Sequence, residues 1–443
     1  MIKIPPYAKK ALDILNENGY SAYIVGGCVR DMLLGTVPCD YDITTNALPE
    51  QIKSIFNQYH VIETGIKHGT ITVVIDKKPL EITTYRIDGE YKDNRRPESV
   101  IFTDNVNYDL ARRDFTINAM AYNQKSGLVD IFGGKDDLSR KLIRCVGDAT
   151  TRFKEDALRI LRALRFASVL CFDIDKSTSI SIHENKALLK NIAAERIQAE
   201  FFKLICGKNA ARIINEYKDV IAVFAPKIES IFDFEQHSKY HIYDVWEHSI
   251  CTLSHTEPKL TLRLAALFHD IGKSDCFTID ENGAGHFYSH AKFSTDHTRD
   301  ILNALKCDNA TKNNVLKLIS YHDAVLCDSK KSIKKWLSKL GEELFFDLIS
   351  LQKADTLAHN PNHIGKRIEQ LDKIKNLTDE VILEGECFSL KDLAVNGHDM
   401  ISVGIKGEKI GHTLKDLLSL VIDSKIENKK KALIEMAKKL NNI

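Results

Sequence analysis

The chain has 443 residues, 44% of them hydrophobic, which is enough for three or four domains with buried cores. Its 62 basic and 61 acidic residues nearly cancel, so net charge argues neither for nor against a nucleic-acid partner, and a polyanion would have to bind at a local cluster. Ten scattered cysteines without a C-x-x-C pair, and no apolar run of membrane-spanning length, predict a cytoplasmic protein with free thiols and no membrane contact.

The first 85 residues alternate between short helices and strands. Apolar spacing and turn signals predict a helix over 7–18, a strand in SAYIVGG (21–27), a short helix in VRDMLLG (29–35), a strand in DYDIT (40–44), a helix from Pro49, and strands at 71–75 and 80–85 joined by a turn. These elements predict a small head with a mixed sheet.

From about Asp109 the pattern is helical up to the C-terminus. The segments with apolar residues at helical spacing are RRDFTINAMAY (112–122), EDALRILRALRFASVL (155–170) and AAERIQAEFFKLI (193–205). A second helical region, from about His241 to His359, is rich in histidine, and a lysine-rich helix closes the chain. The fold class is therefore predicted as α+β, with an all-helical body after the head.

The segment GGCVRDMLLGTVPCDYDIT, which begins at Gly26, combines a glycine turn with two aspartates. The Gly26-Gly27 turn frees backbone N–H groups that can bind phosphate, and Arg30 can add a bidentate contact. Alternation along a strand would put Asp40 and Asp42 on one face, close enough to repel each other. Divalent ions that bridge nucleotide phosphates and an attacking hydroxyl would relieve this repulsion. The alternative is a glycine turn beside an exposed strand end.

Arginines concentrate in two further segments. Arg112, Arg113 and Asp114 stand at the start of the predicted helix 112–122. The helix dipole favours the acid there and opposes the arginines, so a nearby anion is expected, unless the charges simply form surface pairs.

The second of these segments is EDALRILRALRFA (155–167), on an otherwise apolar helix. Its charged residues recur every three positions and are Asp156, Arg159, Arg162 and Arg165. Arginines on such a helix would be costly to bury without partners. The two interpretations are a nucleotide site and a structural network of ion pairs.

These motifs, together with DIFGG (130–134) and ERIQAEFFKL (195–204), stand in the order and spacing of the class II tRNA nucleotidyltransferase family. Over about the first 210 residues the chain resembles this family, which contains CCA-adding enzymes and poly(A) polymerases. The resemblance implies a polymerase-β-like nucleotidyltransferase head with Mg²⁺, and template-independent addition of CCA to the 3′ end of tRNA from CTP and ATP. The alternatives are a poly(A) polymerase of the same family, a metal-dependent phosphohydrolase with a nucleotide-binding head, and a non-catalytic RNA-binding protein.

The resemblance also implies roles for the matching residues. These are Asp40 and Asp42 as catalytic ion ligands, and Gly27, Arg30, Arg113, Asp156, Arg159, Arg162 and Arg165 as nucleotide-binding residues. Asp156 and Arg159 would read the base, because a carboxylate accepts from the amino group of C or A while a guanidinium donates to the neighbouring ring acceptor. Glu81 is a candidate third carboxylate.

The connection RIDGEYKDNRRPESVIFTD (86–104) is long and charged. It resembles the flexible loop of complete CCA-adding enzymes, which tends to be shortened in relatives that add only CC. This favours full CCA addition, with partial activity as the alternative.

The second helical region resembles the HD phosphohydrolase superfamily, whose ligands are a His, an adjacent His-Asp and a later Asp. The matching residues are His248, His269, Asp270 and Asp355. Imidazole and carboxylate ligands suit a transition metal such as Mn²⁺, Ni²⁺ or Co²⁺. The resemblance implies a second, phosphohydrolase activity, and the alternative is a structural remnant. Further candidates are Lys273 for a phosphate, and His290 and His322 for a second metal or the substrate.

Four regions are predicted. They are a nucleotidyltransferase head (1–135), a helical nucleotide-recognition neck (136–235), an HD-type metal domain (236–380) and a helical RNA-binding tail (381–443). The expected partners are tRNA, CTP and ATP, and the sequence leaves the oligomeric state open.

Overall fold

The computed structural model describes residues 3–89 and 99–443. The chain divides into two compact units, Met1–Pro226 with Ala304–Lys306, and Lys227–Asn303 with Cys307–Ile443. Within the described residues, no helix has the length and apolarity needed to cross a membrane. All ten cysteines are free. Of the predicted loop over 86–104, the middle part, 90–98, lies outside the described residues.

The strands of the first unit are β1 (Ala22–Val25), β2 (Asp42–Thr45), β3 (His60–Ile62), β4 (Thr70–Ile75), β5 (Lys78–Thr84), β6 (Arg86–Asp88), β7 (Val100–Phe102), β8 (Ala121–Asn123), β9 (Gly127–Val129), β10 (Leu142–Ile143) and β11 (Asp173–Ile174). Seven of them form one sheet in the order β3-β4-β5-β2-β1-β8-β9. β2 and β5 pair in parallel, and the other neighbours in this sheet pair antiparallel. The predicted mixed sheet is thereby confirmed.

The α-helices of the first unit are α1 (Pro6–Glu17), α2 (Gly27–Leu33), α3 (Pro49–Ile55), α4 (Val106–Ala111), α5 (Gly134–Arg140), α6 (Ala149–Glu155), α7 (Leu158–Leu170), α8 (Lys176–Asn185), α9 (Ala194–Ile205), α10 (Ala210–Glu216) and α11 (Lys218–Ile221). Pro49 opens α3 as predicted, because its fixed φ and missing N–H suit a first turn. The predicted turn between β4 and β5 is also confirmed. Asp76 and Lys77 both have positive φ (49° and 63°), as a two-residue hairpin turn of type I′ requires.

The prediction of a helix over 112–122 is wrong. After α4 ends at Ala111, the chain makes a bridge at Phe115, a 3-10 turn at Thr116–Asn118 and then β8. Phe115, Ile117 and Met120 are fully buried. In a segment that is buried on all sides, apolar residues are not confined to one face. Their spacing here therefore resembled that of a helix without indicating one.

The charged stripe predicted for a single helix is interrupted. α6 ends at Glu155 and α7 begins at Leu158, with Asp156 in an extended conformation between them (φ −137°, ψ 103°). Its Oδ1 accepts a hydrogen bond from the backbone N–H of Leu158 at 3.1 Å. Asp156 therefore lies at the break, and the three arginines that follow it lie on α7.

The second unit is mainly helical. Its elements are α12 (Val245–Ser254), α13 (Leu260–Phe268), β12 (Phe277–Ile279), β13 (Gly285–Phe287), α14 (His290–Ala304), α15 (Asn309–Tyr321), α16 (Lys330–Leu340), α17 (Glu342–Leu357), α18 (Gly365–Leu383), α19 (Gly397–Ser402), α20 (Lys409–Ile422) and α21 (Lys430–Asn441). β12 and β13 form a short antiparallel pair. The main contacts of α12 and α13 in this unit are with α15 and α17 and with each other.

Three lysines of α16 pair with acidic residues that follow α18 in the chain. Lys334 lies 2.7 Å from Glu386, and Lys331 and Lys335 lie 3.2 and 2.9 Å from Asp423. These ion pairs link α16 to the segment that follows α18, within the second unit.

Gly207 provides a test of the packing in the first unit. A Cβ at this position would lie 2.8 Å from the carbonyl carbon of Ser168 in α7. Because the backbone would have to shift, Gly207→Ala should lower the free energy of unfolding by about 1–3 kcal/mol, measured by urea denaturation.

The control is Gly411→Ala within α20, where a Cβ would meet no atom of the described residues within 4 Å. Alanine should raise stability there by about 0.5–1 kcal/mol, because it loses less conformational freedom on folding. Equal effects at the two glycines would contradict the close packing at Gly207.

Candidate active site and metal centre

Three exposed carboxylates, those of Asp40, Asp42 and Glu81, lie together at the central strands β2 and β5 of the head sheet. Asp42 is the first residue of β2, and the parallel register places it beside Glu81 of β5. Asp40 precedes the strand rather than lying within it. The structure thus brings the predicted pair close together, and adds Glu81 as their neighbour.

The electrostatics of Asp42 favour a bound cation. Although its side chain is accessible to solvent, desolvation by the surrounding head raises its pKa, and the charges of Asp40 and Glu81 raise it further, to about 6. Arg113 acts in the opposite direction and lowers it. A carboxyl in this position is stabilised in its charged form by a positive ion. Three carboxylates open to solvent are a donor set suited to a hard divalent cation.

The glycine turn lies beside Arg113. Gly26 has a φ of 81°, and a Cβ there would lie 2.9 Å from Nη1 of Arg113, so glycine is needed for this close approach. Arg113 contacts Asp109 only at 3.5 Å, and its Nε is buried without a hydrogen-bond partner among the described residues. This weakly paired guanidinium is available to an anion.

Gly27 and Arg30, the other residues predicted at the turn, lie on α2. Gly27 is its first residue, and a Cβ there would be 3.6 Å from Nη2 of Arg30. Arg30 pairs with Asp31 at 2.7 Å and donates to the side chain of Asn118 at 2.8 Å. Arg30 is therefore fixed in orientation, with Asn118 as a partner that the sequence did not indicate.

Two buried aspartates orient the arginines of the head. Asp109, which is 0% exposed, pairs with Arg112 at 2.7 Å. Asp114 accepts two hydrogen bonds from Arg162, at 2.8 and 2.6 Å. Burial alone would raise the pKa of Asp114, but Arg162 and the neighbouring donors lower it to about 2. Sequence reasoning missed these roles, because nothing in the chain indicates which aspartate becomes buried.

The arginines of α7 form a network of ion pairs. The pairs are Arg159 with Glu155, Arg162 with Asp114, and Arg165 with Glu200, and a further pair joins Asp156 to Arg196. Arg159 also donates to the backbone carbonyl of Arg112 at 3.1 Å. The network of ion pairs that one interpretation expected is therefore present. The role of this segment in reading the base stays a prediction.

The second unit gathers eight side chains with metal-binding atoms, called here the histidine cluster. They are His241, His248, His269, Asp270, His290, His322, Asp355 and His359. Three overlapping groups have ligand atoms within 4.8 Å of one another, and they are His241, His248 and His359; His248, His269 and Asp270; and Asp270, His290 and His322. Asp355 joins them through its Oδ1, 2.8 Å from Nε2 of His248. The four residues that the resemblance implied as ligands therefore lie together, and their role as ligands stays a prediction.

Asp270 lies at the centre of the histidine cluster. Its Oδ2 is 3.3 Å from Nε2 of His269 and 3.5 Å from that of His248. Its Oδ1 is 3.4 and 3.6 Å from Nε2 of His290 and His322, and it is buried without a hydrogen-bond partner among the described residues. Two oxygens that face different imidazole pairs can bridge two ions.

Lys273, predicted to hold a phosphate, is buried beneath the cluster. Its Nζ lies 2.6 Å from Oδ2 of Asp270 and donates to Gln236 at 2.7 Å. In this structure it compensates the charge of Asp270 instead of facing a ligand.

The protonation of the cluster follows from its carboxylates. Burial would lower the pKa of His269, but Asp270 and Asp355 raise it to about 10. In turn, His269 holds the pKa of Asp270 well below the usual range, and His248 together with His269 does the same for Asp355, in both cases against the effect of burial. Burial and the charge of Lys273 lower the pKa of His241 to about 2, so that its ring is neutral, the form that binds metals.

Sequence reasoning missed His241 and His359 as members of the cluster. His359 follows Asp355 by four residues and lies 3.7 Å from it, a spacing that could have indicated the contact. His241 precedes α12 in a segment without regular structure, where no periodicity is available.

A cleft of about 440 Å³ opens onto the histidine cluster. The residues that line it are Tyr240, His241, His322, Asp323, Ala324, Val325, Gln352, Asp355, Thr356, His359, His363, Ile364 and Arg367. Four residues of the histidine cluster thus line the same cavity as Arg367.

Comparison with family models places three matches along the chain. Residues 22–144 match a model described as "Poly A polymerase head domain". Residues 171–220 match "Probable RNA and SrmB- binding site of polymerase A", and residues 282–437 match "tRNA nucleotidyltransferase domain 2 putative".

Curated relatives and solved structures agree with these models. A CCA-adding enzyme of Ligilactobacillus salivarius (strain UCC118) is 33% identical over 447 residues, covering 99% of this chain and 98% of the relative. A CCA-adding enzyme of Geobacillus stearothermophilus is 47% identical over 213 residues, covering 47% of this chain and 52% of the relative. The crystal structure of Bacillus stearothermophilus CCA-adding enzyme in complex with CTP has a TM-score of 0.71 at 28% identity, covering 99% of this chain and 98% of that one. The chain belongs to the CCA-adding enzyme family of tRNA nucleotidyltransferases.

The raised pKa of Asp42 gives a test of the carboxylate site. Because only the charged carboxyl binds cations, the affinity of the head for Mg²⁺ should fall as the pH is lowered through about 6, by about tenfold per pH unit below it. Mg²⁺ titrations between pH 5 and 8 would measure this.

Asp42→Asn serves as the control, since it cannot titrate and should bind Mg²⁺ more weakly at every pH. A wild-type affinity that stays constant from pH 7 to pH 5 would show that Asp42 is not a ligand.

Proposed function

We propose that this chain adds CCA to the 3′ end of tRNA from CTP and ATP, without a template. The observation that carries this is the group of Asp40, Asp42 and Glu81 beside the glycine turn and Arg113, in a chain similar over its full length to CCA-adding enzymes. The similarity to CCA-adding enzymes favours this function over a poly(A) polymerase or a phosphohydrolase with a nucleotide-binding head.

In this mechanism, the head carboxylates hold divalent ions, and we propose Mg²⁺. Such ions, when bound, lower the pKa of the attacking 3′-hydroxyl and offset charge on the leaving pyrophosphate. Asp40 and Asp42 are the proposed ligands, with Glu81 at their side. Arg113, only weakly paired with Asp109, contributes a guanidinium that can bind the nucleotide phosphates beside the turn formed by Gly26 and Gly27.

Base selection is assigned to Asp156 and Arg159. The Asp156 carboxylate can accept from the amino group that C and A share, and the Arg159 guanidinium can donate to the adjacent ring acceptor. Since both are engaged in ion pairs, nucleotide binding would have to exchange these pairs for bonds to the base. Arg30, Arg162 and Arg165 would support the pocket.

The predicted division of the chain fits this activity. We propose a head over 1–135, a neck over 136–235 that reads the base, a metal domain over 236–380 and a tail over 381–443 that contacts tRNA. The tail ends in the lysine-rich helix α21.

Incubation with labelled CTP and a tRNA that lacks its 3′ CCA tests this function. The wild type should incorporate C and then A, whereas Asp42→Ala should lose incorporation, because the site loses an ion ligand. Asp136→Ala, an exposed position on α5, is the control and should retain activity. Incorporation of ATP alone would instead identify a poly(A) polymerase.

We further propose that the histidine cluster is an HD-type site, loaded with Mn²⁺, Ni²⁺ or Co²⁺, that hydrolyses phosphate esters. Neutral imidazoles and carboxylates are a donor set that fits such ions. Oδ1 of buried Asp270 supports this assignment, because it accepts no hydrogen bond from the described residues and has only two imidazoles near it, at 3.4 and 3.6 Å. A buried carboxylate oxygen in such a place is costly unless it binds a cation.

Asp270→Ala tests the second site independently of the first. The variant should lose bound metal, measured by elemental analysis, and any hydrolysis of phosphomonoesters or 2′,3′-cyclic phosphates, while it retains CCA addition. Asp300→Ala, exposed on α14, should change neither. A wild type that binds no metal and hydrolyses no ester after addition of Mn²⁺ or Ni²⁺ would show that the cluster is a remnant.

A further inference from the structure

The cleft over the histidine cluster is lined by an arginine as well as by acidic and imidazole side chains. Arg367, in the first turn of α18, lines the same cavity as Asp355 and His359. No ion pair to Arg367 is found in the parts of the chain at 3–89 and 99–443. The positive charge is therefore not compensated by a contacting carboxylate.

Two glutamines hold the guanidinium in place. Its Nη2 donates to Oε1 of Gln352 at 2.6 Å, and its Nη1 donates to Oε1 of Gln370 at 2.9 Å. The amide groups are themselves fixed, because Gln352 donates to the carbonyl of Ala324 at 2.8 Å and Gln370 to that of Leu326 at 3.1 Å.

Neutral acceptors of this kind orient an arginine without cancelling its charge. An arginine has five N–H donors, of which these bonds use two. The remaining donors can form parallel hydrogen bonds to two oxygens of one phosphate, a geometry that the planar guanidinium favours. An arginine that served only to stabilise the fold would be expected to pair with a carboxylate, as Arg299 does with Asp296.

The carboxylates near the cleft explain why a cation is needed there. Two carboxylates, those of Asp355 and Asp270, belong to the cluster beside this cavity. Their oxygens would repel a phosphate that approached the cluster. A cation held in the same cavity offsets this repulsion.

We infer that Arg367 is the phosphate-binding residue of this cleft, positioned by Gln352 and Gln370 to hold the phosphate of an ester against the histidine cluster. The inference rests on the second activity proposed above, and extends it to the recognition of the substrate's charge. It concerns binding, so it can be measured whether or not hydrolysis occurs.

The test is the binding of inorganic phosphate to the full-length, Mn²⁺-loaded protein by isothermal titration calorimetry. Arg367→Gln should weaken binding about 10- to 100-fold, the loss expected for hydrogen bonds to a charged group. Arg367→Lys, which keeps the charge but loses the planar fork, should fall between that variant and the wild type. The control is Arg299→Gln, an exposed position on α14, which should bind phosphate as the wild type does.

Kinetics with p-nitrophenyl phosphate give a second readout. Removal of a contact made equally to bound substrate and transition state should raise KM by a similar factor and change kcat less than about threefold. Thermal unfolding checks that each variant is folded. If Arg367→Gln does not fold, the comparison of Arg367→Lys with the wild type decides.

The outcomes separate the two proposals. Phosphate binding that depends on Arg367 in a protein without hydrolytic activity would support this inference and refute the phosphohydrolase. Hydrolysis with unchanged phosphate affinity in the Arg367 variants would refute this inference and leave the phosphohydrolase in place. A wild type that binds no phosphate in the Mn²⁺-loaded state would also overturn the inference.

Discussion

A carboxylate that is removed from water must be compensated by cations or hydrogen-bond donors, and this requirement organises both units of the protein. In the head, Asp109 and Asp114 are buried, and each holds an arginine in a defined orientation. In the second unit, buried Asp270 draws Lys273 and four imidazoles around it. The functional side chains are thus placed by acids that themselves need not touch a substrate.

The two candidate sites meet this requirement in opposite ways. The carboxylates of the head remain exposed, with only Arg113 lowering the pKa of Asp42, so their charge is left to be balanced from outside the protein, and in the proposed function an ion and a nucleotide do this. The histidine cluster is largely buried, and imidazoles and Lys273 of the protein itself surround its carboxylates. Among the described residues, two of its buried polar atoms lack a hydrogen bond, Oδ1 of Asp270 and Nδ1 of His241.

Features that depend on local sequence patterns were predicted better than contacts between residues far apart in the chain. The meeting of His248, His269, Asp270 and Asp355 was expected from the resemblance of their types and order to the HD superfamily, because a metal site restricts which side chains can serve. The prediction of a helix over 112–122 was wrong. Phe115 and Ile117 are apolar because they are buried on all sides, and their spacing happened to resemble that of a helix with one buried face. The pairing of Arg162 with Asp114, 48 residues apart, or of Arg367 with two glutamines, depends on tertiary packing that no local window of the sequence records.

The ion pairs of α16 bear on how the protein would meet a polyanion. Three lysines of α16 already pair with acids, namely Lys331 and Lys335 with Asp423 and Lys334 with Glu386. An RNA strand that passed over this helix would therefore gain little from them, because paired lysines are less able to replace the counterions condensed on its phosphates. The steepness with which RNA affinity falls as salt is added reports the number of lysines and arginines that neutralise phosphates. That slope should therefore be shallower than the number of lysines in this unit suggests, and should be determined by basic residues without acidic neighbours.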